Sequence, residues 1–126
     1  MPLVRIDLVK GKPPAYRQKL GEVVYWSLVS VGVPEHDRFQ VVQEHDQDGL
    51  VFDPKYLGIE RSPDIVMIQI TWNEGRIVDQ KRQLYKIIAD GLFHALNLRR
   101  EDVFISLVEV KKENWSFGNG VAQYAT

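Results

Sequence analysis

The residue with the most reactive potential in this sequence stands second. Pro2 follows Met1, and loss of a methionine before so small a residue would leave proline as a free secondary amine, a rigid and strong base. A bland reading stands beside it, because a proline also opens strands. Asp37, in the run Pro34-Glu35-His36-Asp37-Arg38, offers a carboxylate that could activate water or position a proton. It could equally close a turn, where aspartate is common. Arg76, in Glu74-Gly75-Arg76, would suit a carboxylate or enolate oxygen with help from a helix N-terminus. As an exposed arginine it would simply be solvated.

Other chemistries find little support. The chain has no cysteine, which removes disulfides, zinc–thiolate sites, iron–sulfur clusters and thiol nucleophiles together. His36, His45 and His94 show no metal-ligand spacing and read as structural or surface residues. Phe117-Gly118-Asn119-Gly120 lacks the following helix of a phosphate loop, and no serine lies in a nucleophile-elbow context. Neither a metal nor a cofactor is expected. Sixteen basic and 17 acidic side chains leave a formal charge of −1, so no global field draws nucleic acid or an anionic membrane.

These residues need elements to hold them. At 126 residues the chain is sized for a single domain over 1–126, and its 44% apolar content is that of a globular protein. The N-terminus lacks a secretion signal, and no apolar run reaches membrane-spanning length, so a cytoplasmic protein is expected. Residues 3–8 alternate as a half-buried strand, with Val4, Ile6 and Leu8 on one side. After Pro13 and Pro14, the stripe Leu20, Val23, Val24, Ser27, Leu28 and Val31 predicts a helix that ends at Gly32-Val33-Pro34. A strand follows over about Phe39 to Gln43. The second half predicts a strand from Ile65 to Trp72, a helix from about Val78 to Leu96 and a strand from Val103 to Val110.

The halves superpose as sequences. Val4, Ile6 and Leu8 match Val66, Ile68 and Ile70 at an offset of 62, Leu20 and Leu28 match Leu84 and Leu92 at 64, and Asp37 matches Asp102 at 65. So small a drift predicts one βαβ unit used twice, over roughly 2–45 and 64–110. Right-handed crossovers then put both helices on one face of a four-stranded sheet, a two-layer α+β sandwich. The other sheet face, expected to carry Leu3, Met67, Val103, Ile105 and Leu107, needs a cover that self-association would supply. The 46–63 connection, with Phe52, Tyr56 and Leu57, is long enough to suggest a functional or interface role. Trp115, Phe117 and Tyr124 should pack rather than stay in water.

Met1-Pro2-Leu3, the duplicated βαβ unit and the unpartnered sheet face together resemble the tautomerase superfamily over essentially the whole chain. Gly32-Val33-Pro34 with Asp37-Arg38, Leu57-Gly58 with Arg61-Ser62, Gln80-Lys81, Glu101-Asp102-Val103 and Trp115-Ser116-Phe117-Gly118 place the resemblance nearest the malonate semialdehyde decarboxylase branch. The resemblance implies a tautomerase or MIF-like fold, a homotrimer and a cofactor-free reaction on a small carboxylate-bearing oxo acid. It implies Pro2 as the proton-transferring amine, Asp37 as its partner carboxylate and Arg76 as the substrate-carboxylate binder. Trp115, Phe117 and Tyr124 become pocket residues. The branch places two arginines two residues apart where this chain has Glu74 and Arg76. A carboxylate there should repel a β-keto acid, so enol–keto tautomerisation is expected ahead of decarboxylation or hydration. A catalytically weak oligomeric binding protein is the reading of a different class.

Overall fold

Alternation of apolar and polar residues builds the first strand, β1 (Leu3–Val9), in the computed structural model, which describes residues 1–125. Val4, Ile6 and Leu8 are at most 2% exposed. Helix α1 (Pro14–Ser30) begins with Pro14 at a position whose amide would be unpartnered in any case. It stops in a Schellman turn: the Val33 amide donates to Leu28 O at 3.0 Å and the Gly32 amide to Val29 O at 3.1 Å. That turn needs a left-handed residue after the helix, and Gly32 takes φ 107° without a Cβ penalty. Strand β2 (Phe39–His45) completes the first unit.

The second unit follows the same order, with β3 (Val66–Asn73), α2 (Val78–Leu96) and β4 (Val103–Val110). The sheet order is β2-β1-β3-β4, with β1 parallel to β2, β3 parallel to β4, and β1 antiparallel to β3. Both helices contribute their apolar stripes to one core with the sheet, Leu20, Val24 and Leu28 from α1 and Leu84, Ile88 and Leu92 from α2. They approach so closely at Gly91 that an added Cβ would lie 2.8 Å from Val23 Cγ1. The expected two-layer α+β architecture is therefore observed, with each strand and helix within a few residues of its predicted bounds.

One expectation is overturned. Ile105 pairs with Ile68 and Leu107 with Ile70, and paired residues of parallel strands share a face. Val103, Ile105 and Leu107 therefore pack on the helical core. The far face instead carries Leu3, Phe39, Val41 and Phe104, which are 37%, 50%, 37% and 46% exposed, beside Met67. Hydrophobic residues at every position of β4 from Val103 to Leu107 except Ser106 concealed the phase of that strand.

The connection between the units folds as two short 3-10 turns, Gln47–Gly49 and Tyr56–Gly58. Arg61 Nη1 donates to the carbonyls of Asp53, Tyr56 and Ile59, which closes the second of them. Val51, Tyr56 and Leu57 remain exposed. Among the described residues, no helix is long and apolar enough to cross a membrane.

Candidate functional site

Pro2 is buried at the entry to β1. The amino terminus of Met1 lies 3.5 Å from Asp37 Oδ2, and the side chains of Met1 and Asp37 are only 8% and 12% exposed. Asp37 reaches this corner because the turn after α1 is tied down locally. Its amide donates to Pro34 O, the His36 amide donates to the Tyr25 hydroxyl at 3.1 Å, and the Arg38 guanidinium lies 4.9 Å over the Tyr25 ring. His36 itself takes φ 69°.

The two repeat-related aspartates have opposite surroundings. Asp102, fully buried, accepts the Ser62 amide and the Ser62 hydroxyl, both at 2.7 Å, and so holds the long connection against the sheet. Asp37 has nothing comparable: its Oδ1 is buried without a hydrogen-bond partner among the described residues. A buried acceptor left unpaired is costly, and the Trp72 indole nitrogen is likewise buried without a partner among the described residues. Although Asp37 and Asp102 stand at matching positions of the repeat, the two carboxylates therefore differ in what they touch.

Arg76 follows a sharp turn at Gly75, whose φ of 120° suits glycine. Its guanidinium carbon sits 4.0 Å over the Trp72 ring, and Nη1 donates to Asn73 O at 2.9 Å. Burial holds its pKa below the ordinary arginine value, opposed by the Glu109 carboxylate. The side chain remains a cation at neutral pH because arginine begins so high. Glu109 is meanwhile occupied by Lys81. The antiparallel register Leu3 to Thr71 brings Pro2 to the level of Trp72, the residue that carries Arg76.

The tail aromatics contact one another, with Trp115 and Phe117 partly buried as expected, whereas Tyr124 stays 40% exposed. The Trp115 indole N–H donates to Asn73 Oδ1 at 2.7 Å. Trp115 stacks on Phe117 with ring centroids 5.5 Å apart, and Phe117 meets Tyr124 edge to face at 4.9 Å. A cleft of about 420 Å³ opens between the β3–α2 turn and this tail, with Asn73, Glu74, Lys112 and Tyr124 among its walls. Of the candidate residues only Tyr124 lines it; Pro2, Asp37, Arg76, Trp115 and Phe117 do not. The candidate residues thus fall into an amine–carboxylate corner and an Arg76–aromatic group, joined at the end of β3. Glu74 is exposed, whereas Arg76 is partly buried.

Two residues of this region carried no functional reading in the sequence, Trp72 and Asn73. The signal for them was their place immediately before the Glu74-Gly75-Arg76 turn, where a strand must release the chain. The histidines lie elsewhere: His45 pairs with Asp7 at 2.6 Å, and His36 and His94 are exposed.

Comparison with known proteins bears on the family and the fold. Two family models described as "Tautomerase enzyme" match the chain, over residues 37–118 and 2–59. A probable tautomerase of Bacillus subtilis (strain 168), YusQ, is 40% identical over 98% of both chains. The structure is similar to FG41 malonate semialdehyde decarboxylase inhibited by 3-bromopropiolate, with 34% identity, a TM-score of 0.90 and coverage of 97% and 93%. A fused 4-OT, described as a symmetric trimer, shares the fold at 19% identity and a TM-score of 0.79 over 97% of each chain. With the doubled βαβ architecture, the family matches and these relatives together, the chain belongs to the tautomerase family.

Proposed function

We propose that this protein is a cofactor-free enol–keto tautomerase in which loss of Met1 exposes the Pro2 amine as the acid/base. The observation that carries the reading is the Met1 amino group, one residue before Pro2, set against the Asp37 carboxylate, one oxygen of which is buried and without a partner among the described residues. The substrate is a small oxo acid whose carboxylate pairs with Arg76, its apolar part resting on Trp115, Phe117 and Tyr124. Neutral Pro2 removes the enol hydroxyl proton as the carbonyl forms. The resulting pyrrolidinium returns a proton to the α-carbon, so the reaction is a net isomerisation. The active form is a homotrimer in which other copies cover the apolar sheet face, a reading supported by the trimer described for the fused 4-OT relative.

Likeness to a malonate semialdehyde decarboxylase favours one second reading, decarboxylation or hydration, with protonated Pro2 polarising a carbonyl and Asp37 activating water. Exposed Glu74 weighs against it, because it brings a negative charge where a second cation would orient a β-keto acid. The test is intact mass of the protein from its native host, combined with ketonisation of phenylenolpyruvate by wild type and Pro2→Ala. A chain beginning at Pro2 and a loss of about 100-fold or more in Pro2→Ala are expected. A retained Met1, or equal rates, overturns the enzyme reading and leaves an oligomeric binding protein.

A further inference from the structure

The tail from Lys112 onward is held mostly by bonds within itself. The Phe117 amide donates to Gln123 Oε1, Gln123 Nε2 donates to Gly118 O, and the Trp115 amide donates to Lys112 O. Among the described residues, one hydrogen bond joins this tail to the sheet, the 2.7 Å contact from the Trp115 indole to Asn73 Oδ1. That is a short, well-formed N–H···O bond. Strand alternation explains why it exists. Trp72 points into the core and is fully buried, so its neighbour Asn73 points away, toward the tail. The backbone carbonyl of Asn73 also accepts Arg76 Nη1 at 2.9 Å.

We propose that Asn73 is a positioning residue that sets the spacing between the carboxylate-binding cation and the aromatic wall. Its carbonyl oxygen holds the guanidinium and its side-chain oxygen holds the indole. The cation and the aromatic group are therefore referenced to a single residue at the end of β3. The Trp115–Phe117–Tyr124 stack hangs from that indole, so releasing it displaces three aromatics together. Substitutions preserve the backbone carbonyl, and removal of the amide oxygen therefore loosens the wall while Arg76 keeps its anchor. The consequence is selective, with weaker substrate binding and an unchanged proton transfer at Pro2. The inference rests on the proposed roles of Arg76 and the aromatic wall.

The experiment is a double-mutant cycle of Asn73→Leu and Trp115→Phe, in which the second variant keeps an aromatic ring but lacks the indole donor. Phenylpyruvate binding is measured by calorimetry, and kcat and KM by phenylenolpyruvate ketonisation. Each single variant should raise Kd and KM by about five- to tenfold, the worth of one such bond, with kcat within about twofold. The double variant should be no worse than either single one, because both remove the same bond. Additive losses, a fall confined to kcat, or binding unchanged in Asn73→Leu would overturn the proposal. Trp115→Phe, a change at a partly exposed position, keeps the test valid if Asn73→Leu misfolds. If Pro2→Ala ketonises as fast as wild type, the tautomerase reading fails while the binding cycle still judges Asn73 on its own. Absence of phenylpyruvate binding to wild type overturns both.

Discussion

Replacing the two repeat-related aspartates by alanine tests the proposal that Asp37 does chemistry while Asp102 holds the fold. Asp102→Ala removes two hydrogen bonds to an anion, each 2.7 Å long, and leaves the Ser62 amide and hydroxyl without their acceptor. Hydrogen bonds to charged groups contribute roughly 1.5–3 kcal/mol each. Ser62 is partly exposed and regains some bonding from water, so the net cost is about 3 kcal/mol. Unfolding entropy near 2.1 cal/mol/K per residue, about 0.26 kcal/mol/K for 126 residues, turns that cost into a Tm lower by about 11 °C.

Asp37→Ala should behave in the opposite way. The variant loses the pairing of Asp37 with the chain's amino terminus, 3.5 Å away while Met1 is present, but also removes a buried oxygen that has no partner among the described residues. These effects oppose each other, and the stability change should stay within about 1 kcal/mol, or about 4 °C. Catalytic efficiency should fall by about 100-fold or more, the usual worth of an acid/base group. Thermal denaturation by circular dichroism, read beside ketonisation rates, gives both numbers on the same samples. An Asp37→Ala protein that melts as low as Asp102→Ala yet keeps its activity would show that Asp37 merely closes a turn, and the assigned chemistry would fall with it.

Arg76→Ala should raise KM for oxo acids by roughly 10- to 150-fold, corresponding to the loss of charge-assisted bonds to a carboxylate, and steady-state kinetics measures it. Arg76→Lys should recover only part of this, because an ammonium loses both the fork geometry and the stack on Trp72. Glu74→Arg should increase turnover of malonate semialdehyde in a coupled assay, whereas an unchanged rate would mean that position 74 does not face the substrate. Phe39→Asp combined with Phe104→Asp puts charge on the apolar sheet face and should move sedimentation from the proposed trimer toward monomer. An unaltered sedimentation coefficient would place the interface elsewhere.

Much of the architecture was legible in the residues themselves. Strict alternation at Val4, Ile6 and Leu8 dictates which side of β1 is buried, and the Leu20 and Leu84 stripes do the same for the helices, because burial follows the period of the backbone. The phase of β4 was not legible, since apolar residues stand on both of its faces; only pairing with Ile68 and Ile70 decides it. Pro2, Asp37 and Arg76 stood out by residue type and by resemblance, but type alone left each with a bland alternative. Beyond its place just before the Glu74-Gly75-Arg76 turn, the role of Asn73 left no mark in the sequence, because its indole partner lies 42 residues away.

What the sequence determined by itself was local: periodicity, breaks at glycine and proline, and a doubled unit with an amine-bearing residue near its start. Those properties depend on neighbours within a turn or a strand. Tertiary structure alone decided that Asp102 would be satisfied by Ser62 while Asp37 was left with a buried, unpartnered oxygen beside the amino terminus. Whether a carboxylate is saturated or available depends on groups tens of residues away, and those meet only after the sheet has formed.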